Sequence, residues 1–206
     1  MREITAQFHR GRVYAIFGEN GAGKSTLLRI AGGLTQPSRG DVLFEAGGVP
    51  AKQPIGYMAH ASMLYDELSG MENLRYFGGL YGLHDNRRFE DLMQQVGLDA
   101  QLTRRVSDYS QGMRQRLSLA RAIIHDPEIV LLDEPFSNLD SNSSRHIASL
   151  LSEMSASGKC VLVVTHQANL LDGVADESLS ITRGQLAAHA RGIAAARNAN
   201  LQGPVA

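Results

Sequence analysis

The chain holds one cysteine, no tryptophan and, across 206 residues, no apolar run near the roughly 18 residues that span a bilayer. A lone Cys160 excludes an intramolecular disulfide and fits a reducing compartment. No signal-peptide pattern opens the sequence, so any role at a membrane is expected to come through a partner. Excess charge is missing as well. Lys and Arg number 20 against 21 Asp and Glu, a formal net charge of −1. That balance argues against bulk electrostatic attachment to nucleic acid or to acidic lipid. No internal repeat is present, which excludes a solenoid. The length suits one α/β domain with a substantial core.

Glycine is plentiful, and it gathers where it does most. The run Gly18-Glu19-Asn20-Gly21-Ala22-Gly23-Lys24-Ser25-Thr26 fits the phosphate-binding pattern G-x-x-x-x-G-K-[ST]. Before it Val13–Phe17 reads as a buried strand, and after it Thr26–Ala31 reads as a helix. The glycines let successive N–H groups turn inward on a phosphate, and the helix dipole adds to their pull. Lys24 is placed to reach the β- and γ-phosphates, and the Ser25 hydroxyl to ligate Mg²⁺.

Further strands are expected at 42–44, 55–58, 129–132 and 161–164. The last two are continuous apolar runs that suit parallel strands covered on both faces. Leu179–Ile181 and Gln185–Ala187, joined around Arg183-Gly184, read as a terminal hairpin. Ile147, Leu150, Leu151 and Met154 mark one face of a helix starting near Ser141, with Asp140 or Ser141 as cap. Leu74, Phe77, Leu80 and Tyr81 mark a face of another. Residues from about 61 to 109 show helices and no strand, which reads as an inserted helical subdomain. Met1–Phe8 is expected to enter midway through a sheet, and 188–206 to be a frayed tail or a marginal helix.

The strand Ile129–Leu132 ends in Asp133-Glu134, with Pro135 stopping the ladder. Asp133 is placed to hold Mg²⁺ and Glu134 to polarise an attacking water as general base. His166 ends the next strand, where it would face the crevice of an open parallel sheet and steady the γ-phosphate, Glu134 and the water. Ser110 caps a long helix whose first turn contains Gly112. A glycine there costs about 1 kcal/mol against alanine, which makes sense if a phosphate must approach the backbone.

Together these segments resemble the nucleotide-binding domain of ABC transporters from about residue 2 to 187, leaving 188–206 as a C-terminal tail. The resemblance implies a P-loop fold: a mostly parallel sheet with an inserted α-helical subdomain. It also implies ATP and Mg²⁺ as ligands, with 18–26 the phosphate loop and 129–134 the Walker B strand. Ser137-Asn138-Leu139-Asp140 looks like the D-loop, which adds Asp140 to the nucleotide-binding residues. His166 looks like the switch histidine, and Tyr109–Met113 resembles the signature, keeping Ser110 and Gly112.

In that family two domains pair head to tail, each ATP lying between one phosphate loop and the opposite signature. A second copy of this chain and a transmembrane permease are therefore the expected partners, with no direct contact to nucleic acid. The expected location is cytoplasmic, at the inner face of the cell membrane. Tyr65, Leu68 and their neighbours either meet the permease or pack within the helical subdomain.

Two departures stand out. Where the family has a Mg²⁺-sensing glutamine after the strand Ile55–Met58, this chain has His60, which titrates near neutrality as a free side chain and departs from the family pattern. The aromatic residue that stacks on adenine in the family would lie upstream of residue 1, and Tyr14 reads as core. The segments around 56–60, 63–68 and 72–77 are similar to the ATPase of haem exporters in cytochrome c biogenesis. ATPases of drug, polysaccharide and lipid exporters share much of the pattern. A soluble ABC ATPase acting on ribosomes or DNA fits less well, because paired domains, a coiled-coil insertion and a basic stripe are all missing.

Overall fold

The computed structural model describes residues 4–44 and 55–193. Strand β1 (Arg12–Phe17) leads through the phosphate loop into helix α1 (Lys24–Ala31), and β2 (Ile55–Met58) follows. The chain is then helical through α2 (Gly70–Leu80), α3 (Asn86–Gln95) and α4 (Gln111–Ile123). It returns as β3 (Ile129–Asp133), α5 (Ser141–Ala156), β4 (Cys160–Val164) and the hairpin β5 (Glu177–Thr182) and β6 (Gln185–Arg191).

The strands form a single sheet in the order β2-β3-β4-β1-β5-β6. All neighbours pair parallel except β5 with β6. Alternation along the strands splits the core in two. Val13, Ala15, Val130, Leu132, Val161 and Val163 face the cluster built with α4 and α5. Tyr14, Ile16, Leu131, Leu162 and Val164 face Leu27 and Leu28 of α1. Cover on both faces is why these strands are apolar throughout rather than alternating. Leu131 is fully buried, so its truncation to alanine would cost about 2–5 kcal/mol. Among the described residues no helix is long and apolar enough to cross a membrane.

Most expected elements are present, and four expectations change. Val42–Phe44 forms no strand: the segment has no sheet partner among the described residues, and Leu43 is 85% exposed. Residues 4–8 form no strand either. Ile4, Ala6 and Phe8 lie half-buried against the α1 side of the sheet instead. On α2 the buried face is Met71, Leu74 and Gly78, while Leu80 is 65% exposed and Tyr81 lies past the helix end. Finally, β6 continues to Arg191, into the segment expected to be a tail, because its backbone pairs with β5 and not because its side chains demand burial. The rest of that segment, 194–206, lies outside the described residues.

Candidate active site

Three neighbouring strands deliver the site. β3, β4 and β1 are adjacent and parallel, with Asp133 level with Val164 and Val164 level with Ile16. The loops leaving their C-terminal ends therefore emerge side by side, spread over two inter-strand spacings, or about 10 Å. They line a cleft of about 570 Å³, joined by His60 just beyond β2.

From β1 come Asn20, Gly21, Gly23, Lys24, Ser25 and Thr26. Gly23 sits at φ 105°, a left-handed conformation that favours glycine, and starts α1 with no side-chain cap and no acidic residue in the first turn. The helix N-terminus is thus left bare for an anion. Lys24 is only 7% exposed, and its Nζ donates to the carbonyls of Gly18 at 2.8 Å and Glu19 at 2.9 Å. Ala22 turns away into the core.

From β3 comes Asp133, 4% exposed and on the cleft wall with Ser25. A carboxylate so buried needs a cation or several donors beside it. Among the described residues no cluster of three His, Cys, Asp or Glu side chains forms a self-contained metal site. One hydroxyl and one carboxylate, completed by phosphate oxygens and water, are the ligands Mg²⁺ accepts, so these residues fit that ion.

Glu134 follows in a left-handed conformation, φ 55°. Its N–H donates to the Val164 carbonyl at 2.9 Å, and its own carbonyl accepts from Ser137 N at 3.2 Å and Gln115 Nε2 at 2.6 Å. The carboxylate is left much freer than the backbone. Its Oε1 is buried without a hydrogen-bond partner, and His166 Nε2 stands 3.4 Å from it. The His166 N–H reaches Oε2 at 3.4 Å. A carboxylate with one oxygen free of hydrogen bonds, on the lining of a polar cleft, is what a base for water requires.

The other expected binding residues lie apart from this cleft lining. Ser110 caps α4, its hydroxyl accepting from Met113 N at 3.2 Å. Asp140 caps α5, accepting from the N–H groups of Asn142 at 2.9 Å and Ser143 at 3.0 Å. The Ser143 hydroxyl adds a third bond, and together they pull the Asp140 carboxyl down to about 2. Gly112 has a structural reason within this chain beside the one expected. A Cβ there would lie 2.9 Å from the Asn138 carbonyl oxygen, so it is this chain's own loop that approaches. From sequence Gln115 and Gln167 have no assigned role, and Ser137 has one only as part of the D-loop-like run. Gln115 carries the one available signal: a polar side chain on the buried stripe of α4, four residues before Leu119.

A bare helix N-terminus of the kind that takes a phosphate, opposed at a neighbouring strand end by two adjacent carboxylates, is the architecture of the P-loop nucleoside triphosphatases. The family follows from comparison. Residues 1–137 match the family model described as ABC transporter, and the chain belongs to that family as an ATP-binding, ATP-hydrolysing domain.

It is similar to the ABC transporter ATP-binding protein NatA of Bacillus subtilis (strain 168), 37% identical over 195 residues, covering 90% of this chain and 79% of that protein. It is also similar to the lipoprotein-releasing system ATP-binding protein LolD of Shewanella denitrificans, 36% identical over 184 residues, covering 82% and 79%. With the Nod factor export ATP-binding protein I of Cupriavidus pinatubonensis the identity is 36% over 174 residues, covering 81% of this chain and only 54% of that protein. Among solved structures, an ATP-binding subunit of an ABC transporter superposes with TM-score 0.81 at 28% identity, covering 98% of this chain and 87% of the other. A dimeric post-hydrolysis state of the cassette MJ0796 with ADP and Pi also gives 0.81, at 24% identity and covering 90% and 88%, and shares the fold. None of these names mentions haem.

Proposed function

We propose that two copies of this chain close head to tail around two ATP molecules and drive a transmembrane permease by hydrolysing them. The observation that carries this reading is the Glu134 carboxylate, one oxygen without a hydrogen bond and His166 3.4 Å from it, lining the same cleft as the bare N-terminus of α1.

In this mechanism the phosphate loop binds the β- and γ-phosphates through backbone N–H groups, and Lys24 exchanges its carbonyl partners for phosphate oxygens. Ser25 and Asp133 hold Mg²⁺, which when bound neutralises charge building on the phosphates. Glu134 takes a proton from water as its oxygen bonds to the γ-phosphorus and the bond to the ADP oxygen breaks. His166 holds the water and the γ-phosphate in line, and His60 closes the metal side of the cleft. Ser110 and the first turn of α4, with Gly112, complete the partner's site by adding donors and positive dipole to its γ-phosphate, and Asp140 lines the seam between the two copies.

The permease meets the helical region between β2 and β3. Support comes from the exposed aromatic group there: Tyr65 stacks on Phe77 and hydrogen-bonds the Tyr76 hydroxyl at 3.1 Å while remaining at the surface. The chain then sits in the cytoplasm against the inner face of the membrane without entering it. Export is the favoured direction, and haem for cytochrome c assembly is the cargo that the segments around His60, Tyr65 and Phe77 suggest.

The test has two parts. Glu134→Gln should keep ATP binding and lower turnover about 10²–10⁴-fold. Wild-type turnover in that variant would remove the base. Purification of the native complex from gently solubilised membranes should bring down a multi-spanning partner. Haem-handling proteins alongside it support haem, another permease replaces that cargo, and recovery with ribosomes or DNA overturns the transporter reading.

A further inference from the structure

The catalytic loop is held from an unexpected side. Helix α4, whose N-terminus lies outside the cleft lining, touches the loop after β3 at two points. Its Gln115 side chain, 8% exposed, reaches across to the Glu134 carbonyl at 2.6 Å. One turn earlier, Gly112 packs so closely on the Asn138 carbonyl that a Cβ would lie 2.9 Å from it.

The acceptor in the first contact is a carbonyl, so the amide must present its NH₂. A buried amide in a helix is costly unless it is bonded, and this one is bonded to a residue held in the left-handed region. Glu134 has φ 55°, a conformation non-glycine residues rarely adopt and one that costs on the order of 1–3 kcal/mol. Such a conformation persists only where its surroundings hold it. The Val164 carbonyl takes the Glu134 N–H, while Gln115 and Ser137 N take the carbonyl. Gln115 is the only one of these holders that comes from outside the sheet and its own turn.

We infer that Gln115 is a positioning residue for the general base, carrying the state of the α4 N-terminus to Glu134 within one chain. The inference rests on the reading of Glu134 as base and of Ser110 as the reader of the partner's ATP. A helix moves as a rigid body, so a displacement at Ser110 is passed to Gln115 little more than one turn away. The Glu134 carbonyl follows, and with it the direction of the carboxylate. Gly112 keeps the same helix in register with the loop at Asn138. Binding of one copy's ATP to the signature of the other thereby sets the base that belongs to the other copy's own ATP.

The test is a double-mutant cycle on the full chain with Mg-ATP, at protein concentrations that allow pairing. Gln115→Met keeps the length and volume but removes the donor. It should lower the single-turnover rate about tenfold while leaving ATP affinity within about twofold. In the Glu134→Gln background the same change should have no further effect, because the group it positions is already lost. Gln115→Glu, which keeps the shape but turns an oxygen toward the carbonyl, should lose at least as much rate.

An equal loss in both backgrounds, a matching loss of ATP affinity, or full activity in either Gln115 variant overturns the inference. Failure of the base reading is seen separately: Glu134→Gln alone would then turn over like wild type, whatever Gln115 does.

Discussion

Two helices in this chain begin where a phosphate is expected, and they begin differently. Helix α1 starts at a left-handed glycine with no side-chain cap, and its first turn lines the cleft. Helix α4 starts at Ser110, whose own hydroxyl satisfies Met113 N, and it lies outside that lining. The first is a concave half-site that a nucleotide enters. The second is a capped helix end on the outside, tied at its back to the loop of the base through Gln115 and Gly112. One chain thus holds the receiving half of one site and, on the proposed pairing, the completing half of another.

Losing Lys24 should separate the halves most strongly. Lys24→Ala removes two charge-assisted hydrogen bonds to phosphate, each worth about 1.5–3 kcal/mol, so ATP affinity should fall about 10²-fold or more in a titration of the isolated chain. Unchanged affinity would mean that the α1 half-site is not where the triphosphate binds.

Ser110→Ala should act on the other half alone. ATP affinity of the isolated chain stays the same, while turnover by the pair drops about tenfold for one lost hydrogen bond to a charged group. The lost cap should also cost about 1 kcal/mol of stability, a Tm fall of about 2–4 °C. Equal turnover would leave Ser110 as an ordinary cap.

The smallest effect belongs to Asp140. Its hydrogen bonds hold the carboxyl at about 2, below its ordinary 3.8. Because the folded value is depressed, its contribution to stability is complete above about pH 4 and is lost as pH falls through about 2. Melting from pH 5 to 2 should therefore steepen less in Asp140→Asn, which keeps an N-cap oxygen but does not titrate. Identical curves would show that the cap is not coupled to this carboxylate.

The two halves also differed in how far the sequence disclosed them. The α1 half was legible because local rules suffice for it. A buried strand, a glycine-rich turn and a helix start lie within about 20 residues, and the carboxylates sit at the end of an apolar run that only a covered parallel strand explains. The α4 half was legible as a capped helix with a signature-like first turn, but its contacts with the loop after β3 were not. Gly112 reads as room for a phosphate, and the fold adds a second demand on it from Asn138, 26 positions along the chain. Gln115 looked like one more polar residue on a helix until the sheet brought Glu134 beneath it. Val42–Phe44 fails for the same kind of reason: an apolar run makes no strand where no partner strand lies beside it among the described residues. At β6 the partner is present, and a segment of weak propensity is extended by pairing alone.

On the proposed pairing, ATP joins two of these chains across unlike halves. Sedimentation of the Glu134→Gln chain with and without Mg-ATP tests it most directly. A monomer without nucleotide and a dimer with it are expected, the dimer being lost again on combining Lys24→Ala with Glu134→Gln. A chain that stays monomeric at saturating Mg-ATP, with ATP demonstrably bound, would contradict it.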